Sequence, residues 1–168
     1  DHAFAEQKAS ASAVSLIINY SEETALVKEM TDIAIEEMEH FKMVHEIMIS
    51  RGMVLGMDQN SAYARHLIRF FPKTKDRTES LVNRLLISAV IEARSCERFK
   101  VLSENLEDKE LASFFKTLLA SEAGHYTTFL GFARQYQNRE QVDKKWSDFL
   151  DYEAAYMKEQ GKLALVHG

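Results

Sequence analysis

Apolar residues recur along this chain at steps of three and four, the spacing that turns one helical face toward a core. No stretch sustains the period-two alternation of a half-buried strand. The pattern predicts four long helices. The first runs from the start to about Tyr20. The second opens at Ser21, a residue type that caps helix N-termini, and stops at Arg51 and Gly52, a cationic last turn followed by glycine. Its apolar face is Leu26, Met30, Ile33, Glu37, His40, Val44 and Ile47. The third runs from about Asp76 to Glu104, with Leu81, Leu85, Ala89, Glu92, Cys96 and Phe99 on one face. The fourth runs from about Glu107 to Gln137 and aligns Leu111, Phe115, Leu118, Glu122, His125, Phe129, Phe132 and Tyr136.

The connection between the second and third helices contains Pro72, and Ser61 to Phe71 within it can form a short helix. About 25 extended residues reach up to about 80 Å, enough for a crossover of about 45 Å along a bundle. Residues 53–75 are therefore expected to run the length of the molecule, with the second and third helices parallel. A weaker helical pattern over 140–163 gathers Val142, Trp146, Phe149, Leu150 and Tyr156. One domain over 1–168 is expected, with a core bundle over 1–137 and an extra C-terminal helix.

Composition agrees with that reading. Only 6 Gly and 1 Pro in 168 residues leave few helix breakers. The single Cys96 excludes an internal disulfide and fits a reducing cytoplasm. No apolar run approaches the roughly 20 residues that span a bilayer, so no membrane role is expected. The chain begins at Asp1 rather than Met, which leaves room for an upstream piece.

Two of the apolar faces are interrupted alike, by Glu37-x-x-His40 and by Glu122-x-x-His125. Residues three apart share a helical face, so each pair turns a carboxylate and an imidazole inward together. Each preceding helix offers one matching carboxylate, Glu6 and Glu92. All four glutamates stand about 14 to 16 residues from the nearest turn, so at about 1.5 Å per residue they share one level of a bundle. One Glu from each of two helices and Glu-x-x-His from each of the other two is the ferritin-like dimetal pattern. The fold class is thus expected to be all-α: a ferritin-like four-helix bundle with a long crossover. Four buried carboxylates repel one another and lose hydration, and two divalent cations offset both costs. Oxygen and imidazole donors without thiolate suit two iron ions, with manganese also compatible, rather than structural zinc.

Other residues are expected to be subordinate. Glu97 falls off the face that carries Glu92. Glu36 and Ser121 precede the motif glutamates and are placed to meet the outer nitrogens of the histidines. His45 and His66 lack a partner at ligand spacing. Tyr20 and Cys96 read as packing, and Phe114, Phe115, Phe129 and Phe132 as core or pocket wall.

Four stretches go further. Ile91 to Phe99 (IEARSCERF) resembles a signature of the bacterial tRNA hydroxylases of the MiaE type. So do Glu36 to Phe41 (EEMEHF), Leu118 to His125 (LLASEAGH) and the opening Asp1 to Lys8 (DHAFAEQK). The resemblance covers roughly residues 1–135. It implies a non-haem diiron monooxygenase that hydroxylates the isopentenyl group of a 2-methylthio-isopentenyl adenosine in tRNA. It also implies dioxygen as co-substrate, two electrons from a separate reductase or ferredoxin, and Glu6, Glu37, His40, Glu92, Glu122 and His125 as ligands. A ferritin-like iron oxidase, storage subunit or peroxide scavenger is the alternative for the same ligand set.

A net charge of −5 does not favour a nucleic-acid partner, but phosphate contacts need only a local patch. Arg65, Arg69, Lys73, Lys75 and Arg77 provide one, and Arg134, Arg139, Lys144 and Lys145 a second. The first is expected to carry the tRNA contacts, because it lies on the long irregular connection.

Overall fold

A computed structural model describes residues 2–57 and 62–160. Six helices and no strand form among the described residues: α1 (His2–Asn19), α2 (Thr24–Ser50), α3 (Ala62–Phe70), α4 (Arg77–Asn105), α5 (Lys109–Tyr136) and α6 (Arg139–Gln160). No helix among them is long and apolar enough to cross a membrane. They fall into two compact units, one holding α1 and α2 and the other α3 to α6.

In the first unit α1 packs along α2. Leu16 on α1 and Leu26, Met30 and Ile33 on α2 are buried, and Ser10 Oγ donates to the carbonyl of Ala34 at 2.8 Å. The turn departs from the sequence expectation. Tyr20 is buried and its N–H still bonds to the carbonyl of Leu16 at 2.9 Å, so α1 winds one residue further before the chain reverses. Ser21 is left exposed in the turn, and α2 starts at Thr24 behind Glu23, whose side chain makes no capping bond. Burial of the Tyr20 ring outweighs the serine cap.

The far end of α2 matches its prediction. Gly52 takes φ +71°; its N–H bonds to the carbonyl of Ile49 and that of Met53 to Met48, both at 2.9 Å. That is the Schellman closure, which needs a residue at ease in the left-handed region.

In the second unit each long helix begins at a side-chain cap. Asp76 accepts from the Glu79 N–H at 2.8 Å, Asp108 from those of Glu110 and Leu111 at 3.1 and 3.0 Å, and Asn138 from that of Glu140 at 3.0 Å. α4 packs along α5, α5 against α6, and α6 against α3. Leu81, Leu85, Phe99, Leu118, Phe129 and Ala133 are buried. The Phe99 and Phe115 rings meet at 5.3 Å between centroids.

The short helix expected over Ser61 to Phe71 is α3, with Ser61 outside the described residues. α6 matches the pattern over 140–163 as far as Gln160, and 161–163 lie outside them. So do residues 58–61 of the expected crossover.

Candidate metal centre

The two long-helix pairs present the same donor set at the same height. Glu6 stands 13 residues before Asn19, where α1 ends, and Glu37 stands 13 after Thr24, where α2 begins. Glu92 stands 13 before Asn105 and Glu122 stands 13 after Lys109. At about 1.5 Å per residue each carboxylate lies roughly 20 Å from its own turn.

In the first unit Glu6, Glu37 and His40 are buried and each offers a donor atom within 4.8 Å of the others. His40 Nδ1 lies 3.6 Å from Glu37 Oε2. The other ring nitrogen, Nε2, looks toward Glu36 Oε1 at 4.0 Å, an ion-pair approach rather than a hydrogen bond. In the second unit Glu92, Glu122 and His125 are likewise buried, with donor atoms within 4.8 Å of one another. Glu37 is 0% exposed and Glu122 1%, as little as the apolar core residues beside them in sequence such as Leu118.

These residues fit metal ions. Each unit buries two carboxylates and an imidazole among side chains such as Met30, Ile33, Leu118 and Phe129. Anions so placed cost several kcal/mol each without a compensating cation. The donors are oxygen and imidazole nitrogen, the set that hard to borderline divalent ions prefer. Cys96 is in neither donor cluster. Burial, and then the charge of Glu122, push its thiol up to about 11, so it is a neutral packing group near pH 7.

The structure separates the subordinate residues. Glu97 is exposed and paired with Arg94, as expected for a residue off the Glu92 face. His45 stacks on Phe41 at 5.7 Å between centroids. His66 is sandwiched between Tyr152 and Tyr156, at 4.3 and 3.9 Å. Ser121 is half-buried on α5.

One residue was missed in the sequence. His2 is buried one turn before Glu6, with Nδ1 3.0 Å from Glu6 Oε1, an outer-shell contact that orients a carboxylate. The signal was its i, i+4 spacing from Glu6.

The two basic groups are unlike each other. Arg65 and Arg69 lie exposed on α3, Lys73 and Lys75 on the segment after it, and Arg77 opens α4. Among the described residues Arg69, Lys73 and Lys75 form no ion pair. The second group is internally neutralised. Arg134 pairs with Asp143 at 2.7 Å, Arg139 with Asp143 at 3.6 Å, Lys144 with Asp148 at 2.6 Å and Lys145 with Glu79 at 3.7 Å.

The chain is similar to known proteins over most of its length. A solved structure, Protein 43 with aldehyde deformylating oxygenase activity from Synechococcus, matches 99% of this chain and 81% of its own. The TM-score is 0.90 at 30% identity. The fold class is all-α and ferritin-like. A Pseudomonas putida protein named tRNA 2-(methylsulfanyl)-N(6)-isopentenyladenosine(37) hydroxylase is 40% identical over 139 residues. A Salmonella typhimurium protein of the same name is 37% identical over 110 residues. Those matches cover 81% and 66% of this chain, but only 65% and 40% of the relatives' own lengths. The family model described as tRNA-(MS[2]IO[6]A)-hydroxylase (MiaE) matches residues 1–168. With its paired Glu and Glu-x-x-His helices and that match over its whole length, the chain belongs to the MiaE family.

Proposed function

We propose that the chain is an O2-dependent non-haem diiron monooxygenase. Its substrate is the isopentenyl group of a 2-methylthio-isopentenyl adenosine in tRNA. The observation that carries the reading is the duplicated donor set, Glu with Glu-x-x-His, buried at equal height in two helix pairs of a MiaE-family chain. Glu6, Glu37 and His40 of the first unit and Glu92, Glu122 and His125 of the second would supply the ligands of two iron ions. Iron, when bound, supplies the activation of dioxygen and the redox equivalents for the oxidation.

The chain's own residues bind, orient and exclude water. His2 steadies Glu6 through its Nδ1. Phe99, Phe115 and Phe129 are buried on the helices that carry Glu92, Glu122 and His125 and would help to exclude bulk water. The stoichiometry is one C–H bond converted to C–OH. One atom of O2 enters the product and the other leaves as water, with two electrons from a separate reductase or ferredoxin and two protons from solvent. A tRNA substrate places the reaction in the cytoplasm.

Arg65, Arg69, Lys73, Lys75 and Arg77 would receive the tRNA phosphates. Their exposure, and the lack of an ion pair at Arg69, Lys73 and Lys75 among the described residues, support this face over the neutralised second group. The test is an assay of modified tRNA by nucleoside mass spectrometry. The parent, reconstituted with ferrous iron and supplied with reductant, should form the hydroxylated nucleoside. Arg69→Glu combined with Lys73→Glu should weaken tRNA binding by at least about tenfold and lower its dependence on log salt by about two contacts. Iron content should not change. A double variant that hydroxylates tRNA as the parent does at physiological salt would remove this face from the account.

A further inference from the structure

Glu153 is a carboxylate that the proposed chemistry does not use, and it is wholly buried on α6. Three donors converge on it. Tyr63 Oη donates to Oε1 at 3.0 Å, Arg94 Nε donates to the same oxygen at 2.8 Å, and Arg94 Nη2 pairs with Oε2. The remaining arm of Arg94, Nη1, reaches Glu97. The Arg98 guanidinium lies over the Tyr63 ring, 5.8 Å from its centroid. Burial, then the charge of Glu153, hold the Tyr63 phenol far above its ordinary range. It therefore stays a neutral donor at any pH at which the protein works.

A buried ion pair adds little stability over an apolar substitute of the same shape; what it can impose is a single geometry. Here the geometry joins three helices, since Tyr63 stands on α3, Arg94 on α4 and Glu153 on α6. The helix most in need of it is α3. Its 9 residues are too few to hold a helix alone in water, so its place comes from what it touches.

One side of α3 lies on α6. Tyr63 meets Tyr156 at 6.2 Å between centroids, His66 stacks within the Tyr152 and Tyr156 pair, and Phe70 meets Phe149 at 5.0 Å. Stacked rings permit sliding and rotation at small cost, whereas a phenol aimed at one carboxylate oxygen does not. The other side of α3 exposes Arg65, Ile68 and Arg69. Each residue of helical slip turns that side by about 100°, enough to carry the two arginines away from a common phosphate track.

We propose that Tyr63, Glu153 and Arg94 are positioning residues for tRNA: they fix the register of α3 so that Arg65 and Arg69 engage the phosphate backbone together. The inference rests on the tRNA reading and deepens it. It also accounts for the buried charge of Glu153, which is not one of the proposed ligands.

The test is a double-mutant cycle on the iron-reconstituted full chain, read as equilibrium binding of modified tRNA. Tyr63→Phe removes one hydroxyl and keeps the ring, so the aromatic contacts with α6 remain. In the parent background it should weaken binding about tenfold and make the salt dependence shallower by about one contact. In the Arg65→Ala, Arg69→Ala background the same change should cost less than about twofold, because the side chains it positions are gone. Equal losses in both backgrounds, or no loss in the parent, would overturn the positioning role. A parent that binds no tRNA gives a different result and removes the tRNA reading together with the inference drawn from it.

Discussion

Glu122→Ala should leave at most about one iron per chain, where the parent should take up about two after anaerobic ferrous reconstitution. Glu122 is 1% exposed and clusters with Glu92 and His125, so its loss would remove a proposed ligand. It also unbalances four carboxylates against two divalent cations. Alanine is the best helix former, and the site lies mid-helix in α5, so helix content by circular dichroism should hold. The loss of iron then reports ligation rather than unfolding. Retention of both irons would remove Glu122 from the ligand set.

Phe149→Ala should lower the unfolding free energy by about 3–5 kcal/mol, read from urea denaturation at unchanged slope. Phe149 is fully buried, and its ring lies 5.0 Å from that of Phe70, 4.7 Å from Phe71 and 6.5 Å from Trp146. Truncation removes the aromatic support on which the end of α3 rests. The amides of α3 should therefore exchange with solvent sooner than those of α4, which keeps its own core of Leu81, Leu85 and Phe99. A loss below about 1 kcal/mol would mean that this corner repacks freely.

The helices were legible because each long one carries a continuous apolar face and few breakers. The donor set was legible because Glu37, His40, Glu92, Glu122 and His125 break those faces with groups that have no business there unless they serve chemistry. Glu153 breaks the face of α6 in the same manner, between Phe149 and Tyr156, yet that signal went unread. Its partners Arg94 and Tyr63 are 59 and 90 residues away in the chain, and periodicity within one helix says nothing of them. Ser21 misled because capping chemistry was weighed without the burial of Tyr20. The ion pairs of the second basic group were open to the same reading, since Arg139 with Asp143 and Lys144 with Asp148 sit at i, i+4, where neutralisation is the ordinary outcome.

The central claim is that this chain places an oxygen atom from O2 on a tRNA side chain. The direct test supplies ferrous-reconstituted protein with reductant, tRNA bearing 2-methylthio-isopentenyl adenosine and isotopically heavy dioxygen. The tRNA is then digested, and its nucleosides are weighed by mass spectrometry. The account predicts a hydroxylated nucleoside carrying one heavy oxygen, and no label when the heavy isotope is supplied as water. A hydroxyl oxygen drawn from water would contradict it, as would iron-loaded protein that consumes dioxygen and leaves the nucleoside unchanged.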